Sequence, residues 1–293
     1  AAQVMTRWVT VLSALAFAVP VTGNGQCRPA RDSNEAKLLA FYVAPIAFSP
    51  SSAPEYQPSW TLRLGVEGGQ VPDADPAIQQ TGECLANNSV NTELSQFFAR
   101  PRITLALPAH FAIEASYVAP IRINDTEPNL GSVALSKTQR ISREEMGNSM
   151  NVMLRLHGTI GRVRGPIICP ENGLQQSSAA EPCYGTRESN DTFKPRMFGV
   201  EGVIGTAAYD GRVGFYAGGG VNFLRPRFEA GFTDGAGLTD NTVVQVDLTR
   251  PVLIGGLSAQ IFNSVDLSAQ VYSVPKDVTT FRFGAGYHLS LKQ

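Results

Sequence analysis

The chain has 293 residues, of which 17% are charged and 43% hydrophobic, with 28 glycines, 19 prolines and a formal net charge of -1. That balance excludes a disordered acidic or basic tail and the cationic excess of a nucleic-acid-binding domain. A mean hydropathy of -0.05 excludes a polytopic helical membrane protein, yet it permits a membrane barrel, whose inward residues offset the outward ones in any average.

In chain order, Met5, Thr6 and Arg7 precede the apolar run "WVTVLSALAFAVPV", and the small residues of "TGNGQ" follow. This is the order of a secretory signal, assigned here to residues 1–25, and the run is too short to span a bilayer. Export makes the four cysteines readable. Cys169 and Cys183 bracket the loop "CPENGLQQSSAAEPC" and are expected to pair; Cys27 and Cys84 remain, and spacing leaves a second bridge between them open. With no CxxC and three histidines, neither a metal site nor a cofactor is expected.

Residues 26–58 contain "AKLLAFYVAPIAFSPSSAPEYQP", interrupted by Pro45, Pro50, Pro54 and Pro58. Each proline removes a ladder donor, so a long central strand is disfavoured. The stretch reads as a periplasmic pre-barrel segment that can enter a lumen; the alternative is a first strand over 38–48.

From Trp60 onward the hydrophobic period is two. Leu62, Leu64 and Val66 alternate with Arg63, Gly65 and Glu67; Ile113, Ala115 and Tyr117 with Glu114, Ser116 and Val118; Phe281, Phe283, Ala285 and Tyr287 with Arg282, Gly284, Gly286 and His288. Such alternation separates two faces of an extended strand. Ten strands are expected, over 60–70, 100–107, 111–123, 149–156, 162–168, 196–208, 212–224, 241–262, 265–274 and 281–291, with twelve as the alternative count. Tight links at "PAH", "HGTIG", "YDG" and "FNSVD" alternate with long polar stretches at 71–98, 124–148, 169–194 and 225–240. Trp60, Tyr117, Tyr209, Phe223, Phe262, Tyr272 and Tyr287 fall near strand ends, as interfacial girdles do.

These features predict an all-β chain folded, over 59–293, as a closed antiparallel up-and-down transmembrane barrel. Short turns at one end and long loops at the other are the mark of outer-membrane barrels. The polar faces then look inward, which places Arg63, Glu67, Arg102, Glu114, Arg155, Glu201, Arg212, Asp247 and Arg282 in the lumen. Charges of both signs in a narrow interior should pair, because an isolated buried charge costs several kcal/mol.

On this alternation and loop pattern, residues 60–293 resemble the Gram-negative outer-membrane β-barrel proteins, the broad class of small OmpA-like barrels and barrel-domain porins. The resemblance implies an outer-membrane location, contact with outer-membrane lipid, help from the barrel assembly machinery and a monomeric state. It implies a structural or adhesive scaffold, or a narrow passive channel, with loops facing outside; solute and loop partner are not specified. A soluble secreted β-sandwich binding protein is the rival reading. Catalysis is not expected. His288 and Ser290 share a strand face with the spacing of lipid A deacylases, but the descending final strand puts them at the periplasmic rim, and His157 and His110 are assigned near turns there.

Overall fold

The computed structural model describes residues 26–85, 97–122, 125–142, 149–208, 212–262 and 264–291. Ten antiparallel strands close into a cylinder: β1 Thr61–Gln70, β2 Phe97–Ala106, β3 Phe111–Val118, β4 Glu127–Arg140, β5 Ser149–Gly165, β6 Met197–Ala208, β7 Val213–Leu224, β8 Leu248–Phe262, β9 Val265–Val274 and β10 Val278–Ser290. Each pairs with its sequence neighbour, and the ring is sealed where β10 meets β1 from Phe281 opposite Gln70 to Ser290 opposite Thr61. The expected signal segment, 1–25, and the "YDG" turn, 209–211, lie outside the described residues.

Strand parity sorts the side chains as a membrane barrel requires. On β10, Phe283 is 61% exposed and the adjacent Arg282 2%. Leu64, Val66, Ile103, Val133, Leu154, Ile204, Phe215 and Leu253 carry the apolar exterior around the ring, and Arg63, Arg102, Glu114, Arg155 and Glu201 sit inside. A continuous apolar belt of this kind has no place on a water-soluble surface. The rival sandwich, which would press such faces together, is therefore excluded.

Two local expectations are corrected, and they cancel in the count. Residues 127–140, placed within a long loop, form β4; residues 149–156 and 162–168, assigned to two strands around an "HGTIG" turn, form the single strand β5. The inward side chains of β4 are the small Ser132, Ala134, Ser136 and Thr138, so the segment has the composition of a loop. Gly161 reads as a turn residue but lies within the ladder opposite Leu130, at φ 145°, where a Cβ would come within 2.1 Å of the Asn129 carbonyl oxygen. With one strand added and one removed, β5 runs opposite to the expected direction, and His157 lies mid-wall instead of beside a turn.

One end of the cylinder carries the links 107–110, 141–148, 209–212 and 263–264, none longer than eight residues; the other carries the three longest, 71–96, 166–196 and 225–247, together with 119–126 and a tight turn at 275–277. At that second, long-loop end the wall continues upward as a small sheet. Asp191–Lys194 extends from β5, followed outward by Arg227–Glu229, Val243–Gln245 and, in parallel, Gln26–Cys27. Helix α1, Asn34–Val43, packs beside this sheet with Leu38, Leu39, Phe41 and Val43 buried. Ser33 caps it by accepting from the Ala36 N–H at 3.2 Å, and Pro45 converts its end to a single 3-10 turn, Ala44–Ile46. The alternative strand over 38–48 is thus not formed.

Of the expected girdle residues, Trp60, Phe262 and Tyr287 are exposed at the short-link end, and Tyr117 and Phe223 toward the other. Tyr272 is the exception. It points inward and is buried, its hydroxyl accepting from Asn222 Nδ2 at 2.8 Å.

Candidate functional site

After α1 the chain turns down into the cylinder, and the carbonyls of Pro45 through Pro50 meet a wall of donors. Arg282 donates to Pro45 O at 3.0 Å and Ala47 O at 2.7 Å; Arg100 to Ile46 O at 3.0 Å and Ala47 O at 2.9 Å. Arg155 donates to Phe48 O, Arg102 to Ser49 O at 2.8 Å and Gln270 to Pro50 O at 3.0 Å. Farther down, Asn151 donates to Pro54 O at 3.1 Å, and Ser258 Oγ accepts from the Ala53 N–H at 3.3 Å. We call residues 44–54 the strap.

The chemistry of this match is simple. Proline has no N–H, so a strap with Pro45, Pro50 and Pro54 offers carbonyl acceptors in excess of donors. Each guanidinium has five N–H donors and no acceptor. The Phe48 ring completes the fit: it is fully buried and lies 4.2 Å from the Arg102 guanidinium carbon, 5.0 Å from that of Arg100 and 5.1 Å from that of Arg155. Weakly hydrated, planar cations suit such stacking.

The same arginines are tied to one another through carboxylates. Glu67 joins Arg100, at 2.7 Å, to Arg102; Glu114 joins Arg102 to Arg155, at 2.9 Å; Glu201 lies 3.2 Å from Arg155 and 3.2 Å from His157 Nε2. A second group, near the short-link end, pairs Arg63 with both oxygens of Asp266, at 2.9 and 2.6 Å, while His288 Nε2 stands 2.7 Å from Asp266 Oδ1. Arg63 also donates to Ser51 Oγ at 3.2 Å. Five buried guanidiniums (Arg63, Arg100, Arg102, Arg155 and Arg282) thus face four carboxylates, and the strap carbonyls take up part of the surplus of donors.

Seven of the nine side chains expected in the lumen meet there: Arg63, Glu67, Arg102, Glu114, Arg155, Glu201 and Arg282. Arg212 and Asp247 do not. Arg212 is exposed where β7 begins, and Asp247 lies above the rim, 47% exposed and 3.3 Å from Arg225. Beyond the membrane the outside is water, so polarity reverses: Val244, Val246 and Leu248 turn inward and Asp247 outward. Arg100 and Asp266 were missed because each stood at the end of an expected strand, Arg100 opening 100–107 and Asp266 shared between 265–274 and the "FNSVD" link. The parity signal was there, since Arg100 matches Arg102, and Asp266 matches Ser268 and Gln270.

The start of the strap is held at the long-loop end. Both disulfides form there: Cys169 with Cys183, and Cys27 with Cys84, which ties the amino-terminal segment to the first long loop. Beside the second bridge, Glu35 Oε1 accepts from three successive N–H groups, Gly82 at 2.7 Å, Glu83 at 2.6 Å and Cys84 at 3.2 Å. Such a nest of amides stabilises an anion. Burial by itself would raise the Glu35 carboxyl, but the three amides outweigh it and hold it below its ordinary value. A depressed folded-state value means that this stabilisation is complete above the ordinary carboxylate range, roughly pH 4 to 4.5, and is lost as pH falls through the lower folded-state value. Amide protection of Asn34–Val43, corrected for intrinsic exchange rates, is therefore expected to drop as pH falls below the ordinary carboxylate range. Glu35→Gln should show reduced protection at neutral pH and a flatter profile; an unchanged profile would mean that the amide nest around Glu35 does not hold the helix.

No family model matches the chain, and no curated protein matches it. Among solved structures, the chain is similar to Ail, the attachment invasion locus protein of Yersinia pestis, with 11% identity over 79% of this chain and 99% of that one, at a TM-score of 0.30. It is also similar to Neisserial surface protein A, with 12% identity, 79% and 97% coverage and a TM-score of 0.28. The translocator domain of the autotransporter NalP from Neisseria meningitidis gives 11%, 87% and 96%, and a TM-score of 0.31. At these scores the likenesses add no weight to the fold, which rests on its own strand pairing.

Proposed function

We propose that the protein is an outer-membrane barrel closed by its own amino-terminal segment: a scaffold that displays its long-loop end outward, in preference to an open diffusion channel. One observation carries this reading. Every carbonyl from Pro45 to Pro50 is bonded to a wall side chain, so the lumen is filled by built contacts from several sides. The apolar belt supports insertion in a bilayer, and strands of 8 to 17 residues mostly reach the roughly 9 to 11 that a tilted crossing needs.

Orientation follows from loop lengths, since outer-membrane barrels keep short turns on the periplasmic side. On this orientation residues 26–43 lie on the outer face, and the chain runs inward through the strap to reach Trp60 at the short-link end. Both disulfides fall on that outer, oxidising side, as extracytoplasmic bridges should. His288 Nε2 lies 2.7 Å from Asp266 Oδ1, on a carboxylate that also pairs with Arg63, which suits a structural role for that histidine.

The purified full chain is expected to migrate faster in a detergent gel unheated than boiled, and to show no steady ion conductance in a planar bilayer. A stable open conductance from the unmodified chain would overturn the closed-scaffold reading in favour of a narrow channel. Aqueous solubility without detergent would overturn the membrane assignment itself.

A further inference from the structure

Above the strap, among the described residues, α1 does not fully close on the wall. A cavity of about 180 Å³ remains, bordered by Leu39, Ile46, Val71, Phe98, Phe193 and Val244. Its walls come from separate parts of the chain, among them α1, the strap, the first long loop, the start of β2, the end of β5 and the small sheet, so the space belongs to the assembled cap.

We propose that this cavity binds one small, uncharged, hydrocarbon-like molecule. Size is the first argument: a sealed apolar cavity of about 150 Å³ takes up benzene or xenon, and this partly open space of about 180 Å³ suits one ring bearing about one or two further carbons, or the end of an alkyl chain. Chemistry is the second. The lining is almost entirely aliphatic and aromatic, and the two charged residues on its border, Glu35 and Asp73, are acidic. Glu35 Oε1 is already occupied by three amides, so it offers a cation little, while two carboxylates of like sign disfavour an anion such as a fatty acid. An uncharged ligand meets neither obstacle.

Position gives the site a consequence. Ile46 borders the cavity and bonds Arg100 through its carbonyl, so an occupant touches the first turn of the strap. The ligand could be a free solute or the terminal carbons of a membrane acyl chain; the chemistry is shared, and the test separates the two.

The test is a benzene titration of the full chain, 13C-labelled at leucine and valine methyls, in a fluorinated surfactant whose tails mix poorly with hydrocarbon. Saturable shifts are expected at Leu38, Leu39 and Val244, with at least tenfold weaker binding in Val71→Trp and in Val163→Phe, two substitutions that fill the space from the loop and wall sides. Both variants should retain heat-modifiable migration, and one that does so is sufficient. No saturable shift in the unmodified chain, or unchanged affinity in a folded variant, would overturn the proposal. Repeating the titration in phospholipid nanodiscs separates the sources: apparent affinity lowered there marks competition by acyl chains, and equal affinity marks a site for free solutes. Conductance is not the readout, so failure here leaves the closed-scaffold reading to its own test.

Discussion

Arg102→Met is expected to lower the unfolding free energy of the barrel by about 3 to 5 kcal/mol, the usual cost of removing one member of a buried ion network. Arg102 is the hub: it contacts Glu67 and Glu114, donates to Ser49 O and lies under Phe48. Methionine fills comparable space but leaves both carboxylates short of a partner in an interior that cannot solvate them. The measurement is a urea titration of the chain in lipid, read by the fraction retaining fast migration unboiled. Adding Glu67→Gln and Glu114→Gln to Arg102→Met should deepen the loss, because Arg100 and Arg155 then lose the carboxylates they pair with and are left as uncompensated buried cations. A single variant within about 1 kcal/mol of the original would mean that the network is incidental to stability.

Phe48→Ala is expected to release the strap without opening the wall. Truncating a fully buried phenylalanine costs about 3 to 5 kcal/mol, and here the loss falls on the contact between strap and arginines, since the ring of ten strands is sealed independently by β10 and β1. Planar-bilayer recordings should change from silent to intermittently conducting, with brief openings while the Cys27–Cys84 bridge keeps the segment tethered and longer ones after reduction. Short, reversible events are the signature of a tethered plug, because the intramolecular partner remains at high effective concentration. If Phe48→Ala folds and stays silent under reducing conditions, the strap is held by its carbonyls alone and the ring contributes little.

The wall of this protein was legible residue by residue. A barrel strand must part apolar from polar side chains at every second position, a local demand that leaves its trace in short stretches such as Phe281 to Leu289. The count of ten came out through two compensating misreadings, 127–140 and 149–165, and both have the same cause. Lumen-facing positions can be small and polar, as in β4, or glycine, as at 161, and then a strand has the composition of a link.

Alternation also specified the inner charges wherever lipid lay outside, as at Arg63, Glu114 and Arg282. It failed above the rim, at Asp247, where water lies outside and the same alternation carries the opposite meaning. What lines each face depends on the solvent beyond it, and no stretch of chain states its own solvent. The path of residues 44–54 through the barrel lay beyond local reading altogether. It is held through backbone carbonyls, which every residue carries alike, and only the closed wall, by bringing Arg100, Arg102, Arg155 and Arg282 around one axis, decides which carbonyls are bound.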